Sequence, residues 1–102
     1  MTTDSQIIEK KKTTTRIPKE PGKYKVIVLN DDKTPVEFVV AMFIQVFKHS
    51  QGEALELTMK IHNEGSAVAG IYTHEIAEQK IADATNLARG HGFPLILKAE
   101  AE

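Results

Sequence analysis

The stretch from Tyr24 to Phe38, YKVIVLNDDKTPVEF, constrains the fold most strongly, because it joins a strand signal to a helix signal through a short polar loop. Its first part, Tyr24 to Leu29, is rich in β-branched and aromatic residues, which predicts a buried strand. Its middle part, Asn30 to Lys33, carries two adjacent carboxylates and an amide. Binding groups often lie on loops that are held between two rigid elements. This loop is therefore the first candidate for a functional site.

The last part of the stretch predicts the start of a helix. Thr34 is a suitable N-cap, Pro35 fits the first helical position, and Glu37 completes a capping box. Apolar residues then repeat at spacings of three and four as far as Phe47. This period predicts a mostly buried helix from about Pro35 to Lys48.

The chain continues with a second helix that has clear signals at both ends. Ser50 to Glu53 form another capping box, which opens the helix. Gly65 is suited to a left-handed C-cap, so we expect the helix to stop at Glu64.

Two strands and a third helix complete the pattern. Ser66 to Tyr72 predicts a strand whose small residues indicate close packing against its backbone. Thr73 is suited to cap a helix that ends at Gly90, and Leu95 to Lys98 predicts the last strand. The order β-α-α-β-α-β predicts one α+β domain with its helices against one face of a small sheet.

Composition limits the classes of function. The 102 residues suit a single domain, and a formal net charge of −1 gives no electrostatic reason to expect nucleic acid or a membrane surface as a partner. The chain has no cysteine, which excludes disulfides, cysteine-based zinc sites and thiol catalysis. No apolar run approaches the roughly 18–20 residues of a membrane helix, and the N-terminus lacks the apolar core of a secretory signal.

The segment from Met1 to Lys23 differs in composition from the rest of the chain. It mixes Thr, Lys, Gln and Pro, and only three isoleucines in it could be buried. Such a segment cannot offset the entropy of ordering it. We therefore predict a flexible extension over residues 1–23 and a core domain over residues 24–102. The extension is either a frayed terminus or an arm that a partner holds.

The polar residues offer little for catalysis. The sequence contains no HExxH, no phosphate-binding glycine-rich loop and no GxSxG elbow. Asp31, Asp32 and His62 do not make a metal-ligand set with defensible spacing, and adjacent carboxylates in a loop are most often turn and cap residues. With Asn30 they are all possible hydrogen-bond acceptors. At the mouth of an apolar pocket, such acceptors would hold a cation with several donors, such as an ammonium group.

These residues also carry a resemblance to a known family. The motif NDD-x-TP followed by EFV, the pair Ile61-His62 with Gly65 after it, and the segment Phe93-Pro94-Leu95 are similar to the ClpS family of Clp protease adaptors. The resemblance runs from about Tyr24 to the C-terminus. It implies a small domain with three antiparallel strands and three helices, and no catalytic activity, cofactor or metal.

The resemblance also implies a function and a set of site residues. ClpS proteins bind substrates with a destabilising N-terminal Leu, Phe, Tyr or Trp and deliver them to the AAA+ unfoldase ClpA of the ClpAP protease in the bacterial cytoplasm. By motif position, the substrate α-amino group is contacted by Asn30, Asp32 and His62, with Asp31 adding negative potential. The side-chain pocket is expected to consist of Leu29, Thr34, Val36, Val39, Thr58, Ile61 and Leu95. Glu75 and Lys80 match positions that dock on the ClpA N-terminal domain, and we expect a monomer.

Two pocket positions depart from the family pattern. Val36 and Thr58 stand where ClpS proteins commonly have Met. The replacements either alter substrate preference or are neutral drift with compensating packing. An alternative function is also open at this point: the domain could dock on ClpA and redirect its substrate choice without recognising N-termini.

Overall fold

The computed structural model describes residues 22–102 and has the predicted order of elements. The elements are β1 (Lys23–Leu29), α1 (Val36–Gln45), α2 (Gln51–Glu64), β2 (Ser66–Thr73), α3 (His74–Gly90) and β3 (Ile96–Ala101). The three strands form one antiparallel sheet in the order β2-β1-β3. The predicted α+β class is confirmed. The predicted extension lies outside the described residues, except that Lys23 is the first residue of β1.

β1 is the central strand, paired with β2 on one side and with β3 on the other, and its alternate residues face the core. Val26 and Val28 are fully buried, and their neighbours in sequence are partly exposed. The ladder with β2 shifts register between Val26 and Ile27, opposite Gly70 and Val68, so that Ala69 is an extra residue in β2. A Cβ atom at Gly70 would collide with the ring of Tyr72, which confirms the predicted close packing against this strand.

The core lies between the sheet and the helices. Met42 and Phe43 of α1 are fully buried, and α3 contributes three fully buried alanines at Ala77, Ala84 and Ala88. Small residues at these positions allow the α3 backbone to approach the sheet closely. The helical spacing of apolar residues that predicted a mostly buried α1 therefore identified its buried face.

The start of α1 differs from the prediction. Pro35, rather than Thr34, occupies the N-cap position, with φ −64° and ψ 147°, and no side chain caps the helix. The Thr34 hydroxyl instead donates a hydrogen bond to the carboxylate of Asp31 within the preceding loop. The predicted capping box of Thr34 and Glu37 is therefore wrong, because a loop carboxylate three residues earlier competes for the threonine side chain.

The end of α1 is also earlier than predicted. The helix ends at Gln45, and Lys48 has a left-handed backbone with φ 61°. The His49 N–H donates to the Phe43 carbonyl at 3.2 Å, which closes the turn. A lysine in this conformation gives no sequence signal, whereas glycine would have done so.

The caps of α2 are as predicted. The Glu53 N–H donates to Ser50 Oγ at 3.2 Å, and the Ser50 N–H donates to the Glu53 carboxylate at 3.1 Å. The bond from the Ser50 backbone is the main reason that the pKa of Glu53 lies below its ordinary value. Gly65 is the left-handed C-cap, with φ 93°.

The ends of α3 and β3 were predicted less accurately. Thr73 is the N-cap residue of α3 by position, but its side chain makes no capping hydrogen bond. β3 starts at Ile96 and continues to Ala101, beyond the predicted end at Lys98, because its last residues pair with the beginning of β1. The paired residues lie far apart in the sequence, so their pairing leaves no local sequence pattern.

Candidate functional site

One pocket of about 330 Å³ brings the predicted site residues together. It lies where β1 ends, between the β1–α1 loop, the first turns of α1, the second half of α2 and the residue before β3. Its lining consists of Leu29, Asn30, Asp31, Asp32, Thr34, Pro35, Val36, Val39, Thr58, Ile61, His62 and Leu95. Every residue predicted for the side-chain pocket or for the ammonium group is in this set. Pro35 is the one lining residue that the sequence analysis left out.

The floor of the pocket is apolar and buried. Leu95 is 1% exposed and Ile61 4%, and Val39 of α1 is also buried. Val36 lies at the rim, with 49% of its surface exposed. The pocket therefore combines an exposed rim with a floor of buried apolar side chains.

Thr58 is buried in the floor, with 4% of its surface exposed. Its hydroxyl donates to the Ala54 carbonyl one helical turn earlier, at 2.7 Å. The hydroxyl proton is therefore satisfied within α2, as is common for threonine in helices. Towards a bound group, this hydroxyl can act only as an acceptor.

The β1–α1 loop forms the mouth of the pocket and is fixed at two points. The Asn30 N–H donates to the Gly65 carbonyl at 2.8 Å, which ties the loop to the end of α2. The Asp31 carboxylate accepts from the Lys33 N–H at 2.8 Å and from the Thr34 hydroxyl. Asp31 therefore orders the loop from within, in an Asx-type turn, in addition to contributing charge.

Three other polar side chains at the mouth have no polar partner among the described residues. The side chains of Asn30, Asp32 and His62 form no hydrogen bond or ion pair with residues 22–102, and all three residues are exposed. Together they present a carboxylate, an amide and an imidazole above an apolar floor. This arrangement is suited to a group that combines a positive charge with an apolar side chain.

Glu75 and Lys80 lie apart from this pocket, on α3. Glu75 is exposed in the first turn of the helix. The Lys80 ammonium is partly buried, donates to the Val46 carbonyl just after α1 at 2.9 Å, and lies 5.9 Å from the centre of the Tyr72 ring. Lys80 therefore joins α3 to the end of α1, in addition to any role at the surface.

The arrangement of residues 22–102 also bears on metal binding and on membrane crossing. Among these residues, no three or more His, Asp or Glu side chains are grouped so that they could hold a metal ion. In the same range no helix has the length and apolar character needed to cross a membrane.

The fold and the pocket define a small ligand-binding domain. Its floor suits one apolar side chain, and its mouth suits a donor-rich cation.

Comparison with known proteins identifies the family. The family described as ATP-dependent Clp protease adaptor protein ClpS matches residues 19–98. Adapter proteins ClpS from Helicobacter hepaticus and Treponema denticola are 46% and 47% identical to this chain. The alignments cover 74% and 79% of this chain, and 77% and 80% of those proteins. A solved structure of Agrobacterium tumefaciens ClpS2 bound to L-phenylalaninamide is 42% identical, with a TM-score of 0.79, over 81% of this chain and 100% of that one. The chain belongs to the ClpS family of Clp protease adaptors, and this class is an adaptor rather than an enzyme.

Proposed function

We propose that this adaptor binds the N-terminal residue of substrate proteins in the pocket beneath Asn30, Asp32 and His62. The residues bound would be Phe, Tyr, Trp and Leu. The observation that carries the proposal is the convergence of a buried apolar floor with three polar side chains that have no partner within the described residues. A chain end with a large apolar first residue is a ligand that satisfies both parts.

The floor supplies the apolar part of the binding energy. Burying a Phe or Leu side chain contributes roughly 1.5–3 kcal/mol. The floor residues Leu95, Ile61 and Val39 are already buried, so little further ordering is needed when a ligand enters. This part alone would not distinguish a chain end from an internal residue.

The mouth supplies that distinction. An α-ammonium group donates three hydrogen bonds, and each bond to a charged group contributes about 1.5–3 kcal/mol when it is shielded from water. Because Asn30, Asp32 and His62 are exposed, we expect values at the lower end of this range. An internal residue has no ammonium group and would lose these bonds.

The related structure supports this assignment through the chemistry of its ligand. Agrobacterium tumefaciens ClpS2 was solved with L-phenylalaninamide, which carries a free α-amine and an aromatic side chain. At 42% identity over the whole of that chain, we infer that this protein accepts ligands of the same kind. One chain contributes every residue of the pocket, so we propose that a single copy is the binding unit.

We further propose that the bound substrate is delivered to ClpA, the unfoldase of ClpAP, in the bacterial cytoplasm. Glu75 and Lys80 on α3 would dock on the ClpA N-terminal domain, on a surface that shares no residue with the pocket lining. Separate surfaces would allow the substrate and the unfoldase to bind at the same time. The segment Met1 to Lys23, of which residues 1–21 lie outside the described residues, would assist delivery.

A degradation assay separates this function from the alternative of a regulator that only redirects ClpA. Two reporter proteins that differ only in an N-terminal Phe or Ser would be incubated with ClpAP and ATP. We expect the adaptor to accelerate degradation of the Phe reporter alone. A regulator would slow the degradation of other ClpA substrates and leave the Phe reporter unaffected, and that result would refute the proposal.

A further inference from the structure

Within the described residues, the outer edge of β3 is open to pairing with another strand, and it lies away from the pocket. Of the two edge strands, β2 is partly covered, since the His49 ring bonds to the Ala69 carbonyl at 2.6 Å and α2 packs against it. On β3, by contrast, Lys98 to Ala101 are exposed. An exposed edge is a template for pairing with a further strand.

The register with β1 shows which backbone groups of β3 are free. The Glu102 N–H donates to the Lys23 carbonyl at 2.8 Å, and residues opposite each other alternate between hydrogen-bonded and non-bonded pairs. The even-numbered residues of β3 therefore bond to β1, which includes Lys98 and Glu100. The N–H and C=O groups of Leu97, Ala99 and Ala101 point away from the sheet and have no partner within residues 22–102.

These free groups match those of a second copy in one antiparallel register. A two-fold axis at Ala99 pairs Ala99 with Ala99 of the second copy and Leu97 with Ala101. Lys98 then lies opposite Glu100 of the second copy in a non-bonded pair, where facing side chains are closest. The two-fold axis repeats this pair, so two Lys–Glu contacts form.

Neighbouring registers are disfavoured by the same charges. Moving the axis by one residue towards the start of β3 places Lys98 opposite Lys98. Moving it by one residue the other way places Glu100 opposite Glu100. Like charges directly opposite each other destabilise a strand pair. Charged residues on an edge strand commonly prevent pairing, but here they oppose the adjacent registers and favour the one centred on Ala99.

The space beside the edge also suits a second strand. A groove of about 630 Å³ runs between α3 and β3, with Ile81, Ala82 and Thr85 on one side and Leu97 and Ala99 on the other. In the register described, the groove would receive the side chains of Ala99 and Ala101 of the second copy. Both are small, so they can enter beside α3 without displacing it.

We propose that this protein self-associates through β3, forming a two-fold dimer with a continuous six-stranded antiparallel sheet centred on Ala99. The occupant of this edge is a second copy of the chain, and the specificity comes from the reciprocal pairs of Lys98 with Glu100. The contact is small, so it is weak and reversible, and the expected monomer is the main species at low concentration. It does not depend on the function proposed for the pocket.

Sedimentation velocity on the full chain tests the proposal. The chain would be measured up to roughly 1 mM, because small interfaces lie at the weak end of protein association. We expect a monomer–dimer equilibrium. Lys98→Glu and Glu100→Lys each replace both attractive pairs by repulsive ones, so each variant alone should dimerise at least about tenfold more weakly, a change of about 1.4 kcal/mol.

Mixing the two variants gives the decisive result. A protomer with Lys98→Glu carries two acidic residues at these positions, and a protomer with Glu100→Lys carries two basic ones. The mixture should therefore form heterodimers with at least the wild-type affinity. Lys60→Glu on α2, an equal charge change at an exposed site remote from β3, is the matched control and should leave dimerisation unchanged.

Three outcomes would overturn the proposal. One is a wild-type chain that stays monomeric throughout the concentration range. Another is a dimer that both single variants retain, which would place the interface elsewhere. In the third, both variants fail to dimerise and mixing them does not restore dimerisation. The pairs of Lys98 with Glu100 could then not be what holds the dimer together.

Discussion

Restoring methionine at the two unusual pocket positions should raise the affinity for Leu relative to Phe. Thr58→Met adds one heavy atom and replaces a hydroxyl at a site that is 4% exposed, so the pocket floor moves closer to a small ligand. At about 0.8 kcal/mol per buried methylene, a Leu side chain gains roughly fourfold in affinity. Val36→Met acts at a half-exposed rim and should contribute about half as much free energy, roughly a further twofold. A Phe side chain already fills the space and gains nothing, or loses affinity through overpacking.

The assay is fluorescence anisotropy with matched peptides that start with Leu or Phe, on the wild type, both single variants and the double variant. We expect the ratio of Leu to Phe affinity to rise roughly fourfold in Thr58→Met and roughly eightfold in the double variant. Leu55→Met, at an exposed position of α2 outside the pocket lining, is the control and should not change the ratio. A ratio within twofold of wild type in the double variant would show that Val36 and Thr58 are neutral drift.

The remaining predictions concern the mouth, the docking surface and the cap of α2. Asp32→Ala and His62→Ala should each weaken binding of a Phe peptide by about tenfold or more, since each removes an acceptor for the ammonium group. The melting temperature should stay within the error of calorimetry because both residues are exposed. Unchanged affinity in both variants would remove these residues from the site. Glu75→Ala and Lys80→Ala should leave peptide affinity unchanged and weaken association with ClpA in a pull-down. Only Lys80→Ala should also lower the melting temperature, because it alone removes a bond to the end of α1. The fold lowers the pKa of Glu53, so the stabilisation that its capping bond gives α2 is complete above the ordinary pKa of 4.5. This stabilisation is lost as the pH falls through the lowered pKa. In thermal melts at pH 3 to 6, the melting temperature of the wild type should therefore fall more steeply with falling pH than that of Glu53→Gln. Parallel curves of melting temperature against pH would contradict this.

Local signals predicted the elements whose ends depend on local chemistry. The capping box at Ser50 and the left-handed Gly65 fixed both ends of α2, because each acts through bonds within one or two turns. The end of α1 was missed because Lys48 adopts a left-handed backbone without glycine. The length of β3 was missed because it depends on pairing between Ala101 and Tyr24, which are far apart in sequence.

The residues that line the pocket were predictable from the sequence, but some of their bonds were not. The resemblance identified eleven lining residues, since each occupies a motif position in the chain. It could not show that Thr34 bonds to Asp31 instead of capping α1, or that Thr58 donates its proton to Ala54. These bonds depend on which of several nearby acceptors a hydroxyl reaches, and this is a matter of three-dimensional distance.

The central claim is that the pocket recognises a free α-amino group together with a large apolar side chain. The most direct measurement is the affinity of one peptide with an N-terminal Phe, compared by fluorescence anisotropy with the same peptide after N-acetylation. Acetylation removes the positive charge and two donors and leaves the aromatic ring unchanged. We predict that acetylation weakens binding by at least tenfold, which is about 1.4 kcal/mol. Equal affinities would show that the side chains of Asn30, Asp32 and His62 do not hold the amine, and the proposed recognition of chain ends would be wrong.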